Sequence, residues 1–264
     1  MNDVKSFINK IQEMPAMPNI IVKALSVIKS DTTGVNDLVK VMSVDQALTT
    51  QVLKIVNSAY YGFPQQITSM SKALPLLGMA QVKNIIVAVA MKSMITTQGG
   101  KDLWRHSIRC ALGCEMLAAK LNIIDVSDAF VVGFLHDIGK MVLNMKNNKI
   151  YAKVNELTAK GVNIVEAENL LLGANHAEIG ALLAKKWGMP VMLTNCIKYH
   201  HQPRASMMAN VVYLVYAVDR LIQDTMPNPL FEPAVWKDSP IELGDADTLR
   251  QTILTKADAM LLEI

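Results

Sequence analysis

Apolar side chains recur three and four positions apart along most of this chain. Ile20, Ile21, Ala24, Leu25 and Ile28 form one such set, and Leu48, Val52, Leu53, Ile55 and Val56 form another. That spacing lines one face of a helix, and no stretch alternates in the period of two that a half-buried strand requires. An all-α protein is predicted. The punctuation agrees: Pro15 and Pro18 delimit an entry, residues 31–34 (DTTG) break a helix, and Asp45 stands where a first turn favours a carboxylate. Further stops are read at Gly62-Phe63-Pro64, at Gly78 and at Gly99-Gly100. The step at residues 98–100 divides an N-terminal helical lobe, 1–98, from a second lobe, 101–225, which together with the tail holds every histidine of the chain. The tail, 226–264, opens with Pro227, Pro229, Pro233 and Pro240. It then regains a helical pattern through Leu249, Ile253, Leu254 and Leu261, and is expected to fold back as a lid or brace.

Composition narrows the class. Half of the 264 residues are apolar, enough to fill a core. The most apolar run, Ile85 to Met94, falls well short of a bilayer span and is interrupted by Lys92. The first ten residues carry Asp3, Lys5 and Lys10 and do not resemble a secretory leader. A cytoplasmic protein with no membrane partner is expected. Cys110, Cys114 and Cys196 form neither an even set nor a CxxC pair, so buried free thiols are expected rather than disulfides or a zinc ribbon. The net charge of +3 is spread without a basic block, and nucleic acid is not implied. The seventeen methionines read as core filler.

The chemistry concentrates on five histidines. His106 follows Asp102 by four residues, which stacks carboxylate and imidazole on one helical face. His136 and Asp137 close the apolar run Ala129 to Leu135 and precede Ile138-Gly139-Lys140. His200 and His201 close a helical segment from Met192 to Tyr199, before Gln202-Pro203. Neighbours on a helix diverge by about 100°, so each pair can serve one centre only at a helix end, where the following glycine or proline frees the backbone. Imidazoles with carboxylates suit iron, manganese, nickel or zinc. Asp137 is the natural bridging ligand, and Asp219, among apolar neighbours in Val211 to Ile222, needs a cation or a hydrogen-bond partner. The plainer accounts are an ion pair of Asp219 with Arg220 or Arg109, a solvated first-turn Asp102, and histidines satisfied singly in core or surface.

The segments LWRHS (Leu103 to Ser107), FVVGFLHDIGK (Phe130 to Lys140), NHAEIGALLAKKWGMP (Asn175 to Pro190) and the pair His200-His201 resemble the HD metallohydrolase superfamily in its HDOD branch. MPAMPNI (Met14 to Ile20), VDQALTTQVLKIVNSAYYG (Val44 to Gly62) and ITSMSKALPLLG (Ile67 to Gly78) resemble the N-terminal half of HDOD domains. The resemblance implies a two-lobed helical architecture and a core ligand set of His106, His136, Asp137 and Asp219. It adds His176, His200 and His201 as further ligands, and so implies two divalent ions sharing Asp137. Asp102 matches a position that joins a third metal in the related HD-GYP group, and Lys140 matches a phosphate-contacting lysine. The function implied is signal transduction with a retained metal centre; the alternative is hydrolysis of a nucleotide or other phosphoester, with Asp137 and Lys140 catalytic. The expected partner is accordingly a signalling protein or a phosphoester ligand. After His201 the chain reads Gln202-Pro203-Arg204, without the glycine-tyrosine-proline loop of cyclic-di-GMP phosphodiesterases, which argues against that activity. Nucleotide sensing without turnover, through Lys140 and Arg204, is a third reading.

Overall fold

In the computed structural model the described residues are 14–17, 19, 22, 46–96, 100–223 and 239–262. They are all-α, with no strand among them. The helices are α1 (Gln46–Val56), α2 (Met70–Thr96), α3 (Lys101–Leu121), α4 (Val126–Leu135), α5 (Ile138–Lys146), α6 (Asn148–Ala159), α7 (Ile164–Leu172), α8 (His176–Lys186), α9 (Val191–Tyr199), α10 (Ala209–Ile222) and α11 (Ala246–Leu261), with a 3₁₀ turn at Pro203–Ala205. The readings made on residues 20, 21, 24, 25 and 28, on 31–34, on Asp45, on 98–99 and on the prolines of 226–238 fall outside the described residues. The helical pattern read through Leu249 and Leu261 is α11, begun by Asp245, whose side chain accepts from the Thr248 N–H.

The chain forms two compact units. In one, containing 46–94, 104–134 and 243–262, Leu48, Val52, Ile55 and Val56 of α1 and Val82, Ile85, Ile86 and Val87 of α2 are buried. Among the described residues α2 alone has the length and apolar character to cross a membrane, but more than half of that apolar window is buried. The stop read at Gly78 is present as a break inside α2, where two helical segments meet. Gly78 kinks the helix at φ 78°, ψ 160°, and the helix resumes at once, because glycine accepts a positive φ and the nearby Pro75 has no N–H to keep the first segment in register. Asn57 ties the following loop by donating to the carbonyls of Leu53 (2.7 Å) and Ile67 (2.8 Å) while accepting from Ile67 N. Buried Glu115 accepts from Gln81 (2.6 Å) and Tyr60 (3.4 Å); burial raises its carboxyl above the usual range despite those donors and Lys256. Arg109, one of the partners weighed for Asp219, lies 3.7 Å from Asp258.

The other unit holds α5 to α10 and is described over 14–16, 95–96, 100–103, 135–223 and 239–242. Three of its helices start on asparagine caps. Asn147, Asn163 and Asn175 accept from backbone N–H groups at the heads of α6, α7 and α8. Gly173, left-handed at φ 73°, ends α7 and turns the chain into α8. α8 packs against α5 and α9, and α9 against α10. At the far end of α8, Lys186 and Trp187 donate to the carbonyls of Met14 (3.1 Å) and Pro15 (3.0 Å), which ties Met14 and Pro15 to the end of that helix.

The α5–α8 crossing is set by two glycines. A methyl on Gly139 would stand 1.9 Å from the His176 carbonyl oxygen and 2.7 Å from Gly180 N; one on Gly180 would stand 2.8 Å from Ile197 Cγ2. Gly139 is helical and has no positive φ. The backbone freedom expected of it is therefore not its role: it removes a side chain so that two helix backbones can touch.

Candidate metal centre

Both adjacent pairs sit at helix ends. His136 and Asp137 bridge α4 and α5, with Asp137 the N-terminal cap residue of α5. His200 caps the C-terminus of α9 and His201 follows it. His176 opens α8 one residue after its asparagine cap, and Asp219 lies in the last half of α10. The glycine contact between α5 and α8 brings Asp137 alongside His176.

These six side chains converge. His176 Nε2 lies 3.2 Å from Asp137 Oδ1, 3.2 Å from His200 Nε2 and 2.8 Å from His201 Nε2; His200 Nε2 lies 3.5 Å from Asp137 Oδ1. On the other carboxylate oxygen, Asp137 Oδ2, His136 Nε2 lies at 3.3 Å and Lys140 Nζ at 2.5 Å. His136 Nε2 is also 3.9 Å from Asp219 Oδ1, and Gln223 donates to Asp219 Oδ2 at 3.4 Å. His136, His176, His200, Asp137 and Asp219 are all buried. Arg220, the other partner weighed for Asp219, lies with its guanidinium 5.5 Å from the Tyr216 ring centre.

The remaining two proposed ligands lie on α3. His106 is half-buried, its Nε2 3.6 Å from Cys110 Sγ, and Asp102 is exposed in the first turn. All three cysteines are free and buried, and burial pushes the Cys196 thiol up to about 12.

Glu168 was not anticipated. Fully buried on α7, it accepts from His176 Nδ1 (2.6 Å), from the His176 backbone N–H (2.8 Å) and from Tyr151 OH (3.1 Å). The only sequence signal is its position four residues after Ile164, on the apolar face of a helix whose Glu166 is exposed. A carboxylate at that place keeps a proton on Nδ1 and leaves Nε2 as the ligand atom. The Ile197 carbonyl, 2.7 Å from His200 Nδ1, can only accept, and so imposes the same tautomer on His200.

Two Nε2 atoms and a carboxylate oxygen thus face one another, which is unfavourable unless a proton or a metal ion lies among them. The imidazoles of the cluster are shifted in opposite directions. Burial lowers His176, as does Lys140, yet hydrogen bonding and charge from Asp137 and then Glu168 outweigh them and hold it above its ordinary value. His200 is pushed down to about 4 by burial first and then by the neighbouring imidazoles, and burial with the same neighbours lowers His201. Ligands about 2.0–2.2 Å from a metal stand roughly 3–3.5 Å from one another. The edges from His176 to Asp137, His200 and His201 and from His200 to Asp137 run from 2.8 to 3.5 Å, and all four ligand atoms lie within 4.8 Å of one another, so this set could hold a divalent ion. Glu168→Gln is expected to weaken divalent-metal affinity by about 10–100-fold while leaving the fold intact. Isothermal titration with manganese checks this, and an unchanged affinity would remove Glu168 from the centre.

A family profile described as the HDOD domain matches residues 14–203. The chain belongs to the HDOD family. The HDOD match takes in every histidine of the chain and ends before Asp219. An uncharacterized protein of Treponema pallidum (strain Nichols) is 28% identical over 202 residues, covering 74% of this chain and 39% of that protein. Ribonuclease Y of Lawsonia intracellularis (strain PHE/MN1-00) is 32% identical over 121 residues, covering 46% of this chain and 18% of the enzyme. The chain therefore spans well under half the length of these curated relatives. A solved HDOD domain protein of unknown function from Geobacter sulfurreducens superposes with a TM-score of 0.83 at 22% identity, over 98% of this chain and 96% of that one, and shares its fold.

Proposed function

We propose that this HDOD protein acts in signal transduction through a working metal centre, and that the centre hydrolyses a phosphoester, with nucleotides the first class to test. The observation that carries the reading is the convergence of His176 Nε2 and His200 Nε2, whose ring protons are held on Nδ1 by Glu168 and Ile197, with the carboxylate oxygen Asp137 Oδ1. Asp137, His176, His200 and His201 would hold the ion. Bound there, a divalent metal supplies Lewis acidity and an activated water. The chain contributes the rest. Glu168 and the Ile197 carbonyl fix the two imidazole planes, burial keeps bulk water from the acceptor atoms, and Lys140 sets a positive charge beside Asp137. Similarity to an enzyme named for cleaving RNA favours a hydrolytic use of such a cluster.

A second reading, a centre that is structural or senses a ligand without turnover, draws on the extent of the HDOD match. It begins at residue 14 and includes 46–94, a stretch without a histidine that offers a surface for a signalling partner rather than a reaction. Elemental analysis of the purified protein, followed by assays on bis(p-nitrophenyl) phosphate and on nucleotides with manganese or iron, separates the two. The hydrolase reading expects bound metal and turnover that disappears in Asp137→Asn. Bound metal without turnover favours the second reading, and protein that takes up no metal ends both.

A further inference from the structure

Of its 12 residues α6 buries two, Tyr151 and Val154, and it packs on α5 and α7. The Tyr151 hydroxyl crosses to α7 and donates to Glu168 Oε1 at 3.1 Å. The other oxygen of that carboxylate, Oε2, accepts from His176 Nδ1 at 2.6 Å and from the His176 backbone N–H at 2.8 Å. We propose that Tyr151 is a positioning residue of the metal centre: by holding Glu168 it fixes the ring of His176, so that Nε2 faces Asp137, His200 and His201 as a ligand. The inference rests on the metal-centre reading above and adds to it a residue two hydrogen bonds from the His176 ring.

The division of labour between the two oxygens of Glu168 carries it. Glu168 is wholly buried, so both oxygens have to be met by donors of the protein. His176 supplies two donors, and both converge on Oε2, while Tyr151 meets Oε1. Without the hydroxyl, the carboxylate is expected to turn and share its two oxygens between the two His176 N–H groups. The bond to Nδ1, which keeps the proton on that nitrogen, then weakens. Toward a carboxylate the phenol can only donate. Burial first, and then the charges of Glu168 and Asp137, raise it above its ordinary value, so it keeps the proton it donates. Tyr151 and Glu168 stand 17 residues apart on different helices, so the packing of α6 on α7 sets this contact and no helical period does.

Manganese affinity of the full chain, measured by titration calorimetry for wild type, Tyr151→Phe, Glu168→Gln and the double variant, tests this. Tyr151→Phe, which removes one oxygen and keeps the ring, is expected to weaken binding by roughly 3–10-fold, less than Glu168→Gln does. Added to Glu168→Gln, it is expected to change affinity by less than about twofold, because residues that act in series are not additive. Wild-type affinity in Tyr151→Phe would overturn the proposal. So would an equal loss in both backgrounds, which is what a tyrosine that only supports the fold gives. The His176 ring is read directly, without metal, from two-bond proton–nitrogen NMR spectra in alkaline buffer, where the ring is neutral. Wild type should show one tautomer, with the proton on Nδ1, and Tyr151→Phe a mixture of both. A mixture in wild type, or a single tautomer in the variant, would overturn the proposal. Should Tyr151→Phe fail to fold, labelling with 3-fluorotyrosine strengthens the hydroxyl as a donor and leaves the side chain in place; it should shift the His176 Nδ1 resonance, and an unmoved resonance would overturn the proposal. Wild type that binds no manganese would end the metal-centre reading, and the ring measurement would still decide the role of Tyr151.

Discussion

Asp137→Asn is expected to abolish metal binding in the micromolar range, a loss larger than the roughly 10–100-fold that follows from disturbing a residue that only orients a ligand. The amide has the shape of the carboxylate but no charge, and it presents an NH₂ group, a donor that cannot ligate, on one of two oxygens that both face ligands or cations. Thermal unfolding gives the readout. At a metal concentration about one hundred times Kd, binding to the native state adds about 2.7 kcal/mol, or roughly 5–10 °C in Tm for a protein of this size. Wild type should show that rise and Asp137→Asn should show none. A full rise in the variant would mean that the cluster is not where the metal goes.

The second large effect is expected from a residue that touches no metal. Gly139→Ala places a methyl 1.9 Å from the His176 carbonyl and 2.7 Å from Gly180 N. Both obstacles are backbone, so neither can swing aside as a long side chain would, and α5 and α8 have to separate. Overpacking of this kind costs about 1–3 kcal/mol where side chains can adjust, and about 3 kcal/mol or more is expected here. Separation also draws Asp137 away from His176, so metal affinity should fall along with Tm. Circular dichroism melts with and without manganese check both effects. A variant with wild-type Tm and wild-type affinity would mean that the two helices do not approach as described.

The placing of the two adjacent pairs was legible because helices impose a period. His136-Asp137 and His200-His201 each follow an apolar helical run and precede a change of pattern, and the structure sets both pairs at helix ends. Buried free cysteines were legible from their spacing alone. Lys140 was visible as a cation after the HD pair, but its seat over Asp137 Oδ2 depends on α5 beginning at Ile138, a boundary a single sequence does not locate to within one residue. Glu168 was missed because its partner is eight residues away across the Gly173 turn, a separation that no helical or strand period marks.

By itself, then, the sequence determined the class of the fold, the helix ends on which ligands can stand, and the kind of atoms available to a cation, because all of these follow from periodicity and side-chain chemistry along a local stretch of chain. Tertiary structure alone decided that Gly139 and Gly180 lie in contact, that Glu168 rather than a solvent molecule holds His176, and which oxygen of Asp137 faces the imidazoles. Those outcomes are fixed by backbone approaches and hydrogen bonds between helices far apart in sequence, where sub-ångström packing limits and the cost of unpaired buried charge select one arrangement.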